Sequence, residues 1–450
     1  MLPLPLAAAA LGLAPDPASA HGLGGVAGTP VPGFVFAWAA AIVLVASFAA
    51  LGSLWQEPRL EGAVSRVRGH LPRTLEPAVG ALGVAVFGFV VYSGLAGTQV
   101  PTANILPTFV YVVFWVALVP VSLLAGNVLA ALNPWRAVAR AVGWAGQRVA
   151  GRRLGRALAY PERLGRWPAV ATIAAFAWVE LAYTDRARPA TLAGLALAYA
   201  ALQLLGMALY GVDAWTARGD GFAVYFALFG RLALLRRRPL LSGATQLDPL
   251  PGTVALLCVM IGSTSFDGLS GTTPWRSLLP HLYDAFGSLE AASTVGLGAM
   301  IALIAVVYRL GIAGMRALAP DRSAAELARA FAHSLIPIAA AYVLAHYVTF
   351  LLDQGQAMIA LVSDPLGHGA DWFGTAGTTI HPDVLGKTTT WLVQVGALVL
   401  GHVGGLVLAH DRALTLFADS RVARRSQQWM LTVMVGYTGL GLWLLSSLAR

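Results

Sequence analysis

The chain has 450 residues, of which 57% are hydrophobic and 11% charged, with a mean hydropathy of +0.69. Soluble domains carry about 25% charged residues and cannot hide this much apolar sequence in one core, which excludes a water-soluble enzyme, a nucleic-acid binder and a disordered chain. The net charge of +9 rests on arginine, with Lys387 the single lysine, and its distribution reads as a topology signal and an attraction to anionic lipid.

Taken in chain order, Met1 to Ala20 reads as a signal peptide. An apolar run from Leu2 to Leu13 precedes Pro15 and the small-x-small site Ala18-Ser19-Ala20, although no basic residue precedes the run. Cleavage there would leave His21 at the start of one transmembrane domain, 21–450. About ten windows are apolar enough to span a bilayer: 33–55, 78–98, 105–131, 168–184, 191–212, 252–267, 291–312, 330–352, 389–410 and 428–447. The expected fold is therefore all-α, a polytopic helical bundle of about ten transmembrane helices. Arginine favours one set of alternate loops by about five to one, which predicts that both termini lie outside.

Between the spans, Asn133-Pro134-Trp135 predicts a capped helix start for residues 133–160. Residues 221–235, with Phe222, Tyr225, Phe226 and Phe229, predict a helix lying in the interface. The sixth span is short and is expected to end early or break at Gly268, leaving Asp267 near the outer boundary. The loop 353–388 is long enough to form an external cap.

An ionisable group at mid-bilayer costs at least about 2.5 kcal/mol, so each one calls for a reason. Seven of the nine histidines lie between residues 281 and 410. His333 and His346 on the eighth span are about 140° and about 20 Å apart, while His402 and His410 on the ninth differ by about 80° and about 12 Å. Two constellations are predicted. The outer one joins His346 and Asp267 with cap residues Asp353, Asp364, His368, Asp371, His381 or Asp383, and His402 approaches it from below. The inner one joins His333, His410 and Asp411, with Arg412 adjacent. Imidazole and carboxylate donors suit zinc or copper, which makes Asp267, His333, His346, His402 and His410 candidate ligands of a divalent metal. The ordinary alternative is that these histidines hydrogen-bond neighbouring helices and that the exit residues His410-Asp411-Arg412 snorkel. Gly401-x-x-x-Gly405 would let another helix approach His402 closely. Glu180 is expected to pair with Arg186 or Arg188, and His21, if N-terminal, offers a copper chelate. Cys258, the single cysteine, reads as a small buried hydrophobe. The chain holds no G-x-G-x-x-G, G-x-S-x-G, C-x-x-C or H-E-x-x-H motif, which argues against nucleotide-driven, flavin and serine-hydrolase chemistry.

Several segments together resemble bacterial, largely actinobacterial, polytopic membrane proteins labelled fenitrothion hydrolase. These are Ala20-His21-Gly22-Leu23, Phe36-Ala37-Trp38, Trp55-x-x-Pro58-Arg59-Leu60, Asn133-Pro134-Trp135-Arg136, Ser265-Phe266-Asp267-Gly268-Leu269, Phe331-Ala332-His333-Ser334, Ser363-Asp364-Pro365-Leu366-Gly367, Gly401-His402 and Ala409-His410-Asp411-Arg412-Ala413-Leu414. The resemblance implies a bacterial plasma-membrane protein that hydrolyses organophosphate triesters, a small apolar substrate arriving from the lipid bilayer. A metal-activated water would then attack phosphorus, and the outer constellation read from the residues themselves, Asp267, His346 and His402, is the catalytic set expected to hold it. The competing expectation is a transporter or copper-handling permease in which inner and outer histidines form successive stations along a path.

Overall fold

A computed structural model of the protein describes residues 33–63, 66–67, 72, 74–150, 157–382, 384–417 and 419–448. The expected signal peptide, His21, His70 and Asp383 lie outside the described residues. The described chain is helical apart from a two-residue antiparallel pairing of Arg66–Val67 with Arg237–Arg238. In order, the main helices are α1 Gly33–Leu54, α2 Glu76–Ala96, α3 Ile105–Ala125, α4 Pro134–Ala150, α5 Trp167–Leu181 and α6 Pro189–Tyr210. They continue as α7 Val212–Arg218, α8 Gly221–Gly230, α9 Thr253–Ser270, α10 Thr273–Phe286 and α11 Leu289–Arg316. The last are α12 Ala324–Phe331, α13 Leu335–Gln354, α14 Ala357–Ser363, α15 Lys387–Leu416 and α16 Ser420–Leu448.

A helix occupies each of the ten predicted windows. Among the described residues, seven are long and apolar enough to cross a membrane: α2, α3, α6, α9, α11, the α12–α13 unit and α15. A backbone with no water to bond must satisfy itself internally, which is why these apolar runs are helical and why the protein is a multi-pass membrane protein.

Two expectations need correction. The sixth span neither ends early nor breaks at Gly268: α9 runs unbroken through it to Ser270 and is about 27 Å long at 1.5 Å per residue. It tolerates Ser263, Thr264, Ser265 and Asp267 because 78% of it is buried inside the bundle, against α5, α11, α13 and α16, rather than facing lipid. The aromatic segment at 221 does not lie in the interface either. Asp220 accepts the Ala223 N–H and starts α8, whose Phe222, Tyr225, Phe226 and Phe229 are all buried. The four rings form one stripe and the rest of α8 is Gly, Ala, Val and Leu, so the helix has no polar side to turn to water, and its rings pack against Trp115 and Phe176.

The seam that matters most is α13 on α15. Gly401 and Gly405 present backbone where a side chain would collide: an added Cβ at Gly401 would lie 2.2 Å from Ala341 Cβ, and at Gly405 2.7 Å from the Ser334 carbonyl oxygen. Small residues at this spacing let the two helices meet at backbone distance. Below the seam, Ser323 and Glu326 form a capping box that fixes the start of α12, and a 3₁₀ turn at Ala332–Ser334 leads into α13.

Candidate functional site

The outer polar centre is built on the C-terminal turns of α5 and α9 and on the middle of α13. His346 Nε2 lies 2.8 Å from Asp267 Oδ2, and both side chains are buried. The neighbouring Tyr347 phenol also hydrogen-bonds Asp267. Glu180 is buried close by, within electrostatic range of Asp267. The expected partners of Glu180 are elsewhere: among the described residues it forms no ion pair with Arg186 or Arg188, and Arg186 instead donates to the Tyr183 carbonyl. The other nitrogen of His346, Nδ1, borders Gly268, where even an added Cβ would sit 3.7 Å away. That side opens on a void of about 20 Å³ lined by Thr264, Ser265, Tyr342, His346 and Leu398. Ser265 Oγ is buried there with no hydrogen-bond partner, and a void of this size accommodates a single water.

His402 stands one step deeper. Its Nδ1–H donates to the Leu398 carbonyl at 2.7 Å, and its ring lies 6.1 Å from that of Tyr342, whose hydroxyl donates to the Tyr437 carbonyl. His402 Nε2 is buried and makes no hydrogen bond. Tyr342 and His346 are four residues apart on α13, so they share one helical face.

The inner centre joins α1, α12 and α15. Asp411 is fully buried and accepts four hydrogen bonds: from Trp55 Nε1 at 2.9 Å, and from the backbone N–H groups of Arg59, Leu60 and Glu61 at 2.6, 3.0 and 2.7 Å. It therefore moors the chain that leaves α1. His410 Nε2–H donates to the Trp55 carbonyl at 2.9 Å and leaves Nδ1 without a partner. His333 Nδ1–H donates to the Ala330 carbonyl, while its Nε2 makes no hydrogen bond and lies 3.9 Å from Glu61 Oε1. Glu61 in turn accepts from Arg412 Nε. Burial holds the Glu61 carboxyl above the ordinary carboxylate value, against the opposing pull of Arg412.

The five candidate ligands are thus divided among three depths. Asp267 joins His346, His402 stands apart, and His333 and His410 belong to the inner centre. Among the described residues no group of three His, Cys, Asp or Glu side chains is placed to hold a metal ion. Zinc and copper take three or four donors, whereas the outer centre pairs one imidazole with its carboxylate, with Glu180 close by. The cap does not complete a shell: Asp364 accepts the His368 and Gly369 N–H groups and Asp371 accepts that of Ala376, both acting as turn formers.

Sequence reading overlooked Glu61, Trp55, Tyr347 and Ser265 as members of these centres. It also overlooked Asp220, a buried carboxylate that accepts from Asn133, Trp135 and Tyr199 as well as Ala223. Gly219-Asp220-Gly221 ahead of an aromatic run is a helix-start signature and was the available signal for it. Beyond α5, a cavity of about 340 Å³ lies among α2, α3, α5 and α6, lined by apolar residues including Phe87, Phe109, Phe176 and Leu192. Its wall includes Val179, next in sequence to Glu180. Comparison of the chain with family models, curated proteins and solved structures found no match.

Proposed function

We propose that the protein is a proton-handling membrane carrier, in which buried imidazoles along the α13–α15 seam pass protons between an outer acid centre and an inner one. One observation carries this reading. His346, His402, His333 and His410 are staged at successive depths, and in the last three one ring nitrogen is anchored while the other makes no hydrogen bond. An imidazole anchored at one nitrogen can accept a proton at the other and release it from either, and chains of Asp, Glu and His in spanning helices mark proton relays. The ends of the file are also furnished. Asp267 and Glu180 supply carboxyl groups at the outer end, and Glu61 lies beside His333 at the inner end.

Phosphotriester hydrolysis, which the family resemblance implies, gains less support, because the void at His346 is far smaller than a triester and no three-donor metal set surrounds it. The apolar cavity lined by Phe176 and Val179 of α5 is the better candidate for a small apolar solute whose passage the proton file would drive.

Reconstitution in liposomes containing a pH-sensitive dye, with a potassium diffusion potential imposed, tests the reading. Wild-type protein should carry protons inward, and His402→Ala should cut the rate by at least about 10-fold, the cost of roughly one broken transfer step. Equal flux in protein-free liposomes and in wild-type proteoliposomes would overturn it. Turnover of paraoxon by the same preparation, lost in His346→Ala, would favour the hydrolase instead.

A further inference from the structure

The arginine-rich end of the bundle holds a second polar cavity, of about 320 Å³, separate from the histidine seam. It lies where the loop after α3, the starts of α4 and α5, α7 and α8 come together, and its walls include Asn127, Arg136, Arg166, Arg231, Asp213 and Asp248. Three guanidinium groups converging on one cavity repel one another and need compensation. Asp248 and Asp213 on the same walls offset part of the repulsion through space, but not by direct ion pairs. Asp213 is engaged by Arg140 at 3.1 Å, and among the described residues no carboxylate approaches Arg136, Arg166 or Arg231 within 4.0 Å.

Each arginine is instead held in place by neutral acceptors that leave part of its fork unused. Arg166 is only 4% exposed. Its Nη1 donates to the Asp248 carbonyl and to Thr253, while its Nε–H, buried, has no acceptor. Arg136 is anchored on the Ala130 carbonyl and likewise keeps a buried Nε–H without an acceptor. Arg231 is tied to the carbonyls of Gly243 and Gln246. Burial, reinforced by Arg231 and opposed by Asp248, pushes the Arg166 guanidinium down to about 10. Guanidinium groups gathered on the walls of one cavity with no carboxylate directly on them are the recognition chemistry of a tetrahedral phosphate oxyanion, which accepts several charge-assisted hydrogen bonds at once.

We infer that this cavity is a phosphate-binding site formed by Arg136, Arg166 and Arg231. The oxyanion has two sources, a free phosphate from the aqueous side or the headgroup of an anionic phospholipid, and both offer the same acceptors.

The test uses the full-length protein in nanodiscs of phosphatidylcholine alone and of phosphatidylcholine with phosphatidic acid. Inorganic phosphate is titrated into the first, and thermal midpoints are compared between the two. A saturable rise of the midpoint with phosphate assigns the site to a free phosphate, whereas a rise only with phosphatidic acid assigns it to a headgroup. In either case Arg231→Gln and Arg136→Gln, both partly exposed and therefore tolerant of change, should weaken the effect by about 10-fold or more, with Arg316→Gln, exposed at the end of α11 and outside the cavity, as the unaffected control. No midpoint shift in either nanodisc, or a shift that Arg231→Gln and Arg136→Gln leave intact, would overturn the proposal.

Discussion

At the residue scale, the same imidazole serves different ends according to what its second nitrogen meets. His346 spends Nε2 on Asp267 and turns Nδ1 toward a one-water void, so it is both oriented and open. Asp267→Asn keeps the shape but removes the carboxylate that His346 Nε2 bonds, and proton flux in liposomes should fall by at least about 10-fold while the protein remains folded. Unchanged flux would show that the pair is structural. The inner Glu61 yields a prediction with a definite sign. Its folded-state value lies above the ordinary 4.5 because burial outweighs Arg412, so folding favours the protonated acid. The contribution of Glu61 to stability is therefore complete below about 4.5 and is lost as pH rises through the higher folded value. Thermal midpoints measured from pH 4 to pH 8 should decline less steeply in Glu61→Gln, which cannot ionise; parallel curves would contradict this.

At the element scale, the closeness of α13 and α15 is what brings histidines from two helices into one file. Glycine at 401 is the device, and its cost is testable. Gly401→Ala places a methyl 2.2 Å from Ala341 Cβ and 2.7 Å from the Pro337 carbonyl oxygen, so the helices must part, at a cost of about 1–3 kcal/mol. Gly396→Ala, on the same helix but with open space around it, should be neutral or stabilising by up to about 1 kcal/mol, because alanine is the better helix former. Detergent-solubilised thermal unfolding separates the two, and equal destabilisation would refute the close-approach argument. The Gly401-x-x-x-Gly405 pattern was legible in the sequence because small-residue spacing is a local property. The true course of α9 was not, since whether Asp267 and Gly268 break a helix depends on protein, rather than lipid, surrounding them. α8 failed for the same reason: its aromatic content was visible, but its burial is decided by Trp115 and Phe176, which are distant in sequence.

At the scale of the whole molecule, hydropathy alone located every helix that fills a predicted window, because an apolar run has no alternative in a bilayer. Joining side chains across helices was harder. The pairing of His346 with Asp267 followed from shared depth, whereas the division of the five candidate ligands among three levels depends on helix rotation, which depth does not encode. Sidedness rests on charge, and it makes one further prediction. If the arginine-rich loops face the cytoplasm, the loop 364–386 and the ends carrying Asp267 and Glu180 face outward, and the file would run from outside to inside. Cys258 is buried and is the single cysteine, so introduced thiols report their own accessibility. In a Cys258→Ser background, Thr378→Cys should react with a membrane-impermeant maleimide on intact cells, because Thr378 is exposed in that loop. Asp321→Cys, exposed between α11 and α12, should react only after the cells are permeabilised. The reverse pattern would invert the bundle and with it the direction of the proposed proton path, because the orientation follows from arginine placement.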